Sequence, residues 1–346
     1  MRVLLATYDD DPPEGGQGVY VRGLRAALVA RGVSVDTVAG RGPHAMAYPA
    51  LLHRAPLDMS LALNRDPSVL TASRPDVVHA QGGPGGVLLL RSLPVPVVYT
   101  AHHTYAQAYA PWRDVRYALK VLERRAYLQA AAVLAVSPST ADAVRGMGVE
   151  RVEVVPPGVD SALLGEHGES LREPDLVLFA GRLEPEKGPL DAVAAMQQLG
   201  VRGVVVGRGS LETQVRAAIA SAAGRAPIEL RGAVPDEELR RLYARAAVVL
   251  MPSRYEGLGL VALEAMAAGA AVVAYDVTGL RDAVGADGLL VPAGDVAAMA
   301  SAARALLDAP ARRAELAARG RERVAERHSW TAAAASVEEV YRRVAG

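Results

Sequence analysis

Short apolar, β-branched runs alternate with helical patterns almost from one end of the chain to the other. In the first half the runs are Val3–Ala6, Val33–Val38, Val77–His79, Val95–Thr100, Val133–Val136 and Val152–Val155. Helices are expected between them at Val19–Arg31, Gly86–Ser92, Val115–Gln129 and Ala141–Gly146. The second half repeats the scheme with runs at Leu176–Ala180, Gly203–Val206, Ile228–Leu230, Val248–Met251, Ala271–Ala274 and Leu289–Val291. The C-terminal end is helical in pattern and carries no strand.

Strands written as continuous apolar runs belong to parallel sheets covered on both faces. Two such sets predict two doubly wound α/β domains, and 346 residues suit two domains of about 150–170 residues each. The polar stretch Leu163–Asp175, "LLGEHGESLREPD", is the expected linker. It separates an N-terminal Rossmann-like domain, 1–165, from a C-terminal one, 175–325, with a terminal helix over 326–346.

With 51% hydrophobic and 22% charged residues the chain is globular, not disordered. Thirty-eight basic residues balance thirty-eight acidic ones, so a global field for nucleic acid is absent and no nucleic-acid partner is expected. The lack of cysteine excludes disulfides, thiolate metal sites and cysteine nucleophiles. The start "MRVLLATYDDD" has an apolar run too short for a signal peptide, which predicts a cytoplasmic location. Gly257–Tyr275 nearly reaches membrane-spanning length, but Glu264 and Gly269 divide it into a buried helix and a buried strand.

In open parallel sheets ligands bind beyond the carboxyl ends of the strands, so the strand-to-helix loops carry the chemistry. After the first strand, "DPPEGGQGVYVRGL" sets Gly15, Gly16 and Gly18 before a helix expected near Val19. That suits either a tight turn or bare N–H groups approaching an anion. The dinucleotide fingerprint G-x-G-x-x-G fails, because Val21 stands where its third glycine belongs. The fourth strand ends in "VVYTAHHTY", where His102 and His103 could exchange hydrogen bonds with a substrate hydroxyl or serve the core. "LFAGRLEPEKGPL" places Arg182 beyond a strand and Lys187 at the start of a helix, a diphosphate clamp in outline. "VVVGRGSLE" repeats the strand–glycine–helix device more weakly at Gly207 and Gly209.

The stretch "PSRYEGLGLVALEAMAAG" puts Glu256 in a loop and Glu264 about five residues into the next helix, roughly 7–8 Å further along its axis. Between them the helix start offers N–H groups without intrahelical acceptors. Acid, anion site and acid match a nucleoside diphosphate sugar, which has sugar hydroxyls, a diphosphate and ribose hydroxyls in that order. A buried ion pair or a capping group would also account for Glu264.

Taken together the loops resemble the retaining glycosyltransferases of family 4, which have the two-domain GT-B fold. The carriers are "PPEGGQGVYVRGL", "DVVHAQ", "YTAHHT", "LAVSPST", "VVPPGVD", "FAGRLEPEKG", "VVGRGSLE" and "PSRYEGLGLVALEAMAAGAAVVA" followed by "GLLVPAGD". They span essentially the whole chain. The resemblance implies two Rossmann-like domains facing across a cleft, with the helix around Trp330–Arg343 crossing back to the N-terminal domain. It implies that Gly16, Gly18 and Gly207 approach the donor and that His102 faces the donor sugar. Arg182 and Lys187 would bind the diphosphate. Glu256 would hold the sugar hydroxyls, Gly257, Leu258 and Gly259 would offer backbone N–H groups, and Glu264 would bind the ribose. Front-face displacement with retention, without a metal or other cofactor, is the implied reaction. His103 stands where the family often has Asp, and Asp282 where Glu is usual; both departures touch the sugar environment.

A nucleotide sugar and a hydroxyl-bearing acceptor are therefore the expected partners, and the acceptor is a small molecule, a glycolipid or a polysaccharide precursor. Asp9, Asp10 and Asp11 read either as a solvated loop or, with His103, as an acceptor site for a cationic group. The basic stripe Arg113, Arg116, Lys120 and Arg124 reads as a solvated helix face or as a weak peripheral contact with the inner face of a membrane. A nucleotide-sugar hydrolase or epimerase on the same fold is the alternative activity. Monomer and homodimer are both compatible with the sequence.

Overall fold

The structure, a computed structural model, describes residues 1–52, 55–109, 114–165, 171–221 and 227–346. The chain forms two compact units, Met1–Gly158 with His328–Gly346, and Val159–Arg327. Unit 1 begins with β1 (Arg2–Thr7), α1 (Gly16–Ala30), β2 (Ser34–Ala39) and α2 (Ala55–Arg65). It continues with β3 (Val77–Gly82), β4 (Val97–Ala101), α3 (Tyr105–Tyr109), α4 (Lys120–Gln129), β5 (Ala132–Ala135), α5 (Pro138–Arg145) and β6 (Val152–Val154). Its six strands are parallel in the order β2-β1-β3-β4-β5-β6.

Unit 2 carries β7 (Glu173–Ala180), α6 (Pro189–Leu199), β8 (Gly203–Val206), α7 (Glu212–Ser221), β9 (Ile228–Gly232) and α8 (Asp236–Arg245). Then come β10 (Ala246–Met251), α9 (Leu260–Ala267), β11 (Ala271–Tyr275), α10 (Thr278–Val284), β12 (Leu289–Val291), α11 (Val296–Leu307) and α12 (Pro310–Arg327). Its sheet is again six parallel strands, β12-β11-β10-β7-β8-β9. The last helix, α13 (Trp330–Ala345), belongs to unit 1 and packs on α1 and β3.

Burial follows strand order. The inner strands β3, β5, β10 and β11 are buried at every position, whereas edge strands β2 and β9 are mostly intermediate. Helices on both faces exclude water from the inner strands, which explains their unbroken apolar runs. Phe179, Val193, Val248 and Met299 meet in the core of unit 2, and Leu4, Val78, Tyr99 and Val133 in that of unit 1.

All twelve expected strands form, but two helical expectations change. Residues 86–92 are not helical. Their backbone is held open by side chains: Leu88 N–H donates to Ser60 Oγ at 3.1 Å, Leu89 N–H to Tyr99 Oη at 2.8 Å and Leu90 N–H to Asn64 Oδ1 at 2.6 Å. With those donors satisfied, an apolar segment can be buried without helical hydrogen bonds. The expected helix Val115–Gln129 is a 3-10 turn, Val115–Leu119, followed by α4. The division between units falls at Gly158, ahead of the polar stretch expected as linker. Residues 166–170 of that stretch, and Arg113 of the basic stripe, lie outside the described residues.

Candidate active site

In each sheet the chain reverses direction of growth once, between β1 and β3 in unit 1 and between β7 and β10 in unit 2. Loops diverge at such a point and leave a crevice at the carboxyl ends of the strands. In unit 2 the two loops bordering it are Gly181–Gly188, after β7, and Pro252–Gly259, after β10. Lys187 Nζ donates to Glu256 Oε1 at 2.6 Å across this point, and Ser253 Oγ donates to the same oxygen at 3.0 Å. Both bonds fall on Oε1. Beneath the pair is a hollow of about 30 Å³, close to one water's share of volume, lined by Phe179, Gly181, Lys187, Ser253, Glu256 and Val261.

Arg182 pairs with Glu186 at 2.6 Å and is about half exposed. Gly188 adopts φ +65°, and a Cβ there would overlap the carbonyl oxygen of Pro252, so the two loops touch through glycine. Gly259, at φ +84°, caps α9, whose first intrahelical bond runs from Ala262 N–H to Gly259 O at 2.9 Å. The N–H groups of Leu260 and Val261 precede that bond and carry the positive end of the helix dipole. Glu264 is half-buried and accepts from Tyr243 Oη at 3.1 Å. Beside the Lys187 loop, Asp191 accepts from Arg254 at 3.0 Å and from Tyr275 Oη at 2.9 Å.

Unit 1 gathers different chemistry at the carboxyl ends of β3 and β4. His102, just past β4, contacts Gln81 Oε1 through Nε2 at 2.9 Å and stands edge-on to Tyr20, 4.8 Å between centroids. Thr100 Oγ1 meets Tyr20 Oη at 3.2 Å and His79 Nε2 at 2.7 Å, while His79 Nδ1 meets Tyr341 Oη of α13. Burial, with smaller contributions from His103 and His79, pushes the His102 imidazole down to about 3, so the ring is neutral at physiological pH. Burial alone does the same to His79, also to about 3.

A larger cavity of about 660 Å³ in unit 1 lies among Pro96, Ala131, Gly148 and Arg151, at the amino ends of β4 and β5. Helix N-termini and divergent loops are at the opposite end of the sheet, so the site is assigned to the loops and not to this cavity.

The family model described as "Glycosyltransferase Family 4" matches residues 14–163, and that described as "Glycosyl transferases group 1" matches residues 166–323. The chain is 33% identical to an α-maltose-1-phosphate synthase of Mycolicibacterium smegmatis, covering 99% of this chain and 100% of the relative. It is 34% identical to a D-inositol 3-phosphate glycosyltransferase of Xylanimonas cellulosilytica, covering 94% and 91%. Among solved structures, a sucrose-phosphate synthase from Thermosynechococcus elongatus superposes with a TM-score of 0.81 at 25% identity, over 99% of this chain and 98% of that one. The chain is a family 4 glycosyltransferase. Its two parallel six-stranded sheets are those of the GT-B fold.

In this glycosyltransferase Arg182, Lys187, Glu256, Gly257, Leu258 and Gly259 lie on the two loops flanking the unit 2 switch point, with Glu264 adjoining on α9. Gly207, at φ +140°, ends β8, and a Cβ on it would overlap the carbonyl oxygen of Gly181. A packing constraint against the Arg182 loop thus accounts for this glycine. Gly18 has a similar explanation, because a Cβ there would strike the Asp9 carboxylate. α1 begins at Gly16, three residues before the expected start, so Gly16 and Gly18 belong to its first turn.

The acidic loop departs from its reading as a solvated loop at two of its three carboxylates. Asp9 and Asp10 are buried, not solvated. Asp9 accepts from the N–H groups of Glu14 and Gly15 and pairs with Arg41, and Asp10 pairs with Arg25 at 2.9 Å and His44 at 2.7 Å. Their charges are met internally and shape the glycine loop. Asp11, more exposed, lies 3.8 Å from Arg22. His103 is half-buried, and its carbonyl is where a Cβ on Gly83 would fall.

Sequence reasoning missed Gln81, Tyr20, Tyr243, Ser253, Asp191 and Arg254. Gln81, Tyr20, Ser253 and Arg254 sit inside quoted motifs, so a motif-by-motif reading of every polar position would have found them. Tyr243, 21 residues from Glu264, left no local signal.

Proposed function

We propose that this glycosyltransferase moves a sugar from a nucleoside diphosphate sugar to a hydroxyl of a small-molecule, glycolipid or polysaccharide-precursor acceptor, with retention and without a metal ion. The observation that carries the reading is the Lys187–Glu256 pair at the unit 2 switch point, flanked by Arg182 and the start of α9. Lys187 and Arg182 are each paired with a carboxylate, and their remaining N–H groups donate to the diphosphate oxygens, so that no buried charge loses its partner. Glu256 uses Oε1 for Lys187 and Ser253, and Oε2 accepts from the sugar hydroxyls. Glu264 accepts from the ribose hydroxyls, positioned by Tyr243. In unit 1, His102 is the neutral imidazole that exchanges a hydrogen bond with a sugar hydroxyl.

Charge growing on the leaving diphosphate is stabilised by Arg182, Lys187 and the positive end of α9, the role a divalent ion would otherwise fill. The leaving phosphate oxygen takes the acceptor's proton. A panel of nucleotide sugars and bare nucleoside diphosphates, screened by thermal stabilisation in EDTA, tests donor class and metal independence together. No stabilisation by any of them, or stabilisation only when divalent metal is added, would overturn the respective part. Mass spectrometry of the products separates transfer from release of free sugar and from epimerised donor.

A peripheral membrane contact is supported by α4, which exposes Val121, Leu122 and Leu128 beside Arg124 and Arg125. No helix among the described residues is long and apolar enough to cross a membrane. Co-sedimentation with anionic vesicles, lost in Val121→Asp, tests the contact.

A further inference from the structure

Gln81 is fully buried next to the end of β3, and the parallel register sets it opposite Thr100, two residues before His102. Its amide oxygen is 2.9 Å from His102 Nε2, while its amide nitrogen is buried with no hydrogen-bond partner. A buried donor left without an acceptor is costly. An apolar side chain of the same volume would avoid that cost and fill the same space. Packing alone therefore gives no reason for an amide here; its oxygen does.

The other aromatic neighbours of the ring, Tyr20 and His79, spend their polar groups elsewhere. Tyr20 presents its ring at 87° to the imidazole and spends its hydroxyl on Thr100. His79 is occupied by Thr100 and Tyr341. His103, Tyr20 and His79 are the titratable groups facing the ring. Tyr20 is in turn fixed from behind by Trp330 of α13, 5.6 Å between centroids. A Cβ on either Gly23 or Gly158 would overlap Trp330, so that indole sits in a socket made by two glycines.

We infer that Gln81 is a positioning residue for His102: its oxygen accepts the Nε2 hydrogen, fixes the Nε2-protonated tautomer and leaves Nδ1 as an acceptor for a substrate hydroxyl. Tyr20, backed by Trp330, holds the ring plane. Which nitrogen carries the hydrogen depends on which end of the amide faces it, and the spectra described below read that orientation directly. Had the NH2 end faced the ring, it would donate to Nε2 and place the hydrogen on Nδ1. The substrate hydroxyl would then have to accept instead of donate. The inference rests on the reading of His102 as the hydroxyl-binding imidazole of unit 1, but its test uses no substrate.

Histidine-selective ¹⁵N labelling of the full chain, with long-range ¹H–¹⁵N correlation at pH 7, reads the tautomer directly. The His102 signals are identified by their absence in His102→Asn. The expected result is a protonated-type shift at Nε2 and a bare-type shift at Nδ1, moving to an averaged pair in Gln81→Leu. A hydrogen on Nδ1 in the wild type, or an unaltered tautomer in Gln81→Leu, would overturn the inference. If Gln81→Leu does not fold, Gln81→Met takes its place, and the wild-type measurement decides in any event. A missing response to every nucleotide sugar would count against the donor reading and leave these spectra as they are.

Discussion

Both units are six-stranded parallel sheets whose growth reverses once, yet they furnish the carboxyl ends of their strands in opposite ways. Unit 1 gathers neutral polar groups inside the protein: His79, Thr100, Tyr20, Gln81 and His102 are linked by short hydrogen bonds and ring contacts. Unit 2 uses ion pairs that remain partly in water: Lys187 with Glu256, Arg182 with Glu186 and Arg254 with Asp191. The contrast has a physical basis. A charge that must meet a ligand's charge has to stay hydrated or paired until then, whereas a neutral imidazole keeps its form only if water and carboxylates are kept away. Unit 2 keeps paired charges near water, and unit 1 holds a neutral network in fixed geometry.

The sharpest way to break the comparison is to remove the paired charges. Lys187→Ala or Arg182→Ala should lower turnover by roughly two to three orders of magnitude, as for loss of a charge-stabilising group. Steady-state kinetics on the donor found by screening checks this, and full activity in both variants would remove unit 2's charges from the mechanism. Gly23→Ala tests the opposite property. Its Cβ would overlap Trp330, so α1 and α13 must separate, and the cost should be about 1–3 kcal/mol. An unshifted melting temperature would show that the framework behind Tyr20 yields easily.

Unit 1 also contains a buried acid. Glu123 accepts from Tyr105 N–H at 2.9 Å and Tyr127 Oη at 3.3 Å, and burial pushes it up from 4.5 to about 8. The folded state thus holds a proton that the unfolded state has lost between those values, so stability falls as pH rises through that window. Glu123→Gln keeps the hydrogen-bond acceptor and removes the titration. Its melting temperature should exceed that of the wild type by about 10 °C at pH 9 and converge with it below pH 4.5. Parallel curves for the two proteins would refute the protonated state. The smallest effect is expected at Tyr243→Phe, which keeps the packing but removes the hydrogen bond to Glu264. Affinity for a bare nucleoside diphosphate should fall about fivefold by calorimetry, against ten- to a hundredfold for Glu264→Ala.

Local pattern was sufficient for every strand and for most helices, since β-branched runs and turn residues act over a few neighbours. It misled at residues 86–92, where Ser60, Asn64 and Tyr99 supply the hydrogen bonds that a helix would have made internally. The acidic run failed for a related reason. Nothing near Asp9 and Asp10 in the chain announces Arg41, Arg25 or His44 as their partners.

What the sequence determined by itself was two parallel sheets, the loops that bear glycine and charge, and a motif order specific enough to indicate the family. Those are properties of neighbours in the chain. Only the tertiary structure decided which strand ends adjoin, because strand order is set by crossover connections and not by the runs themselves. That order brings Lys187 to Glu256 across 69 residues and His102 to Gln81 across 21. Pairing, burial and the neutral state of the imidazole then follow from contacts that no local stretch encodes.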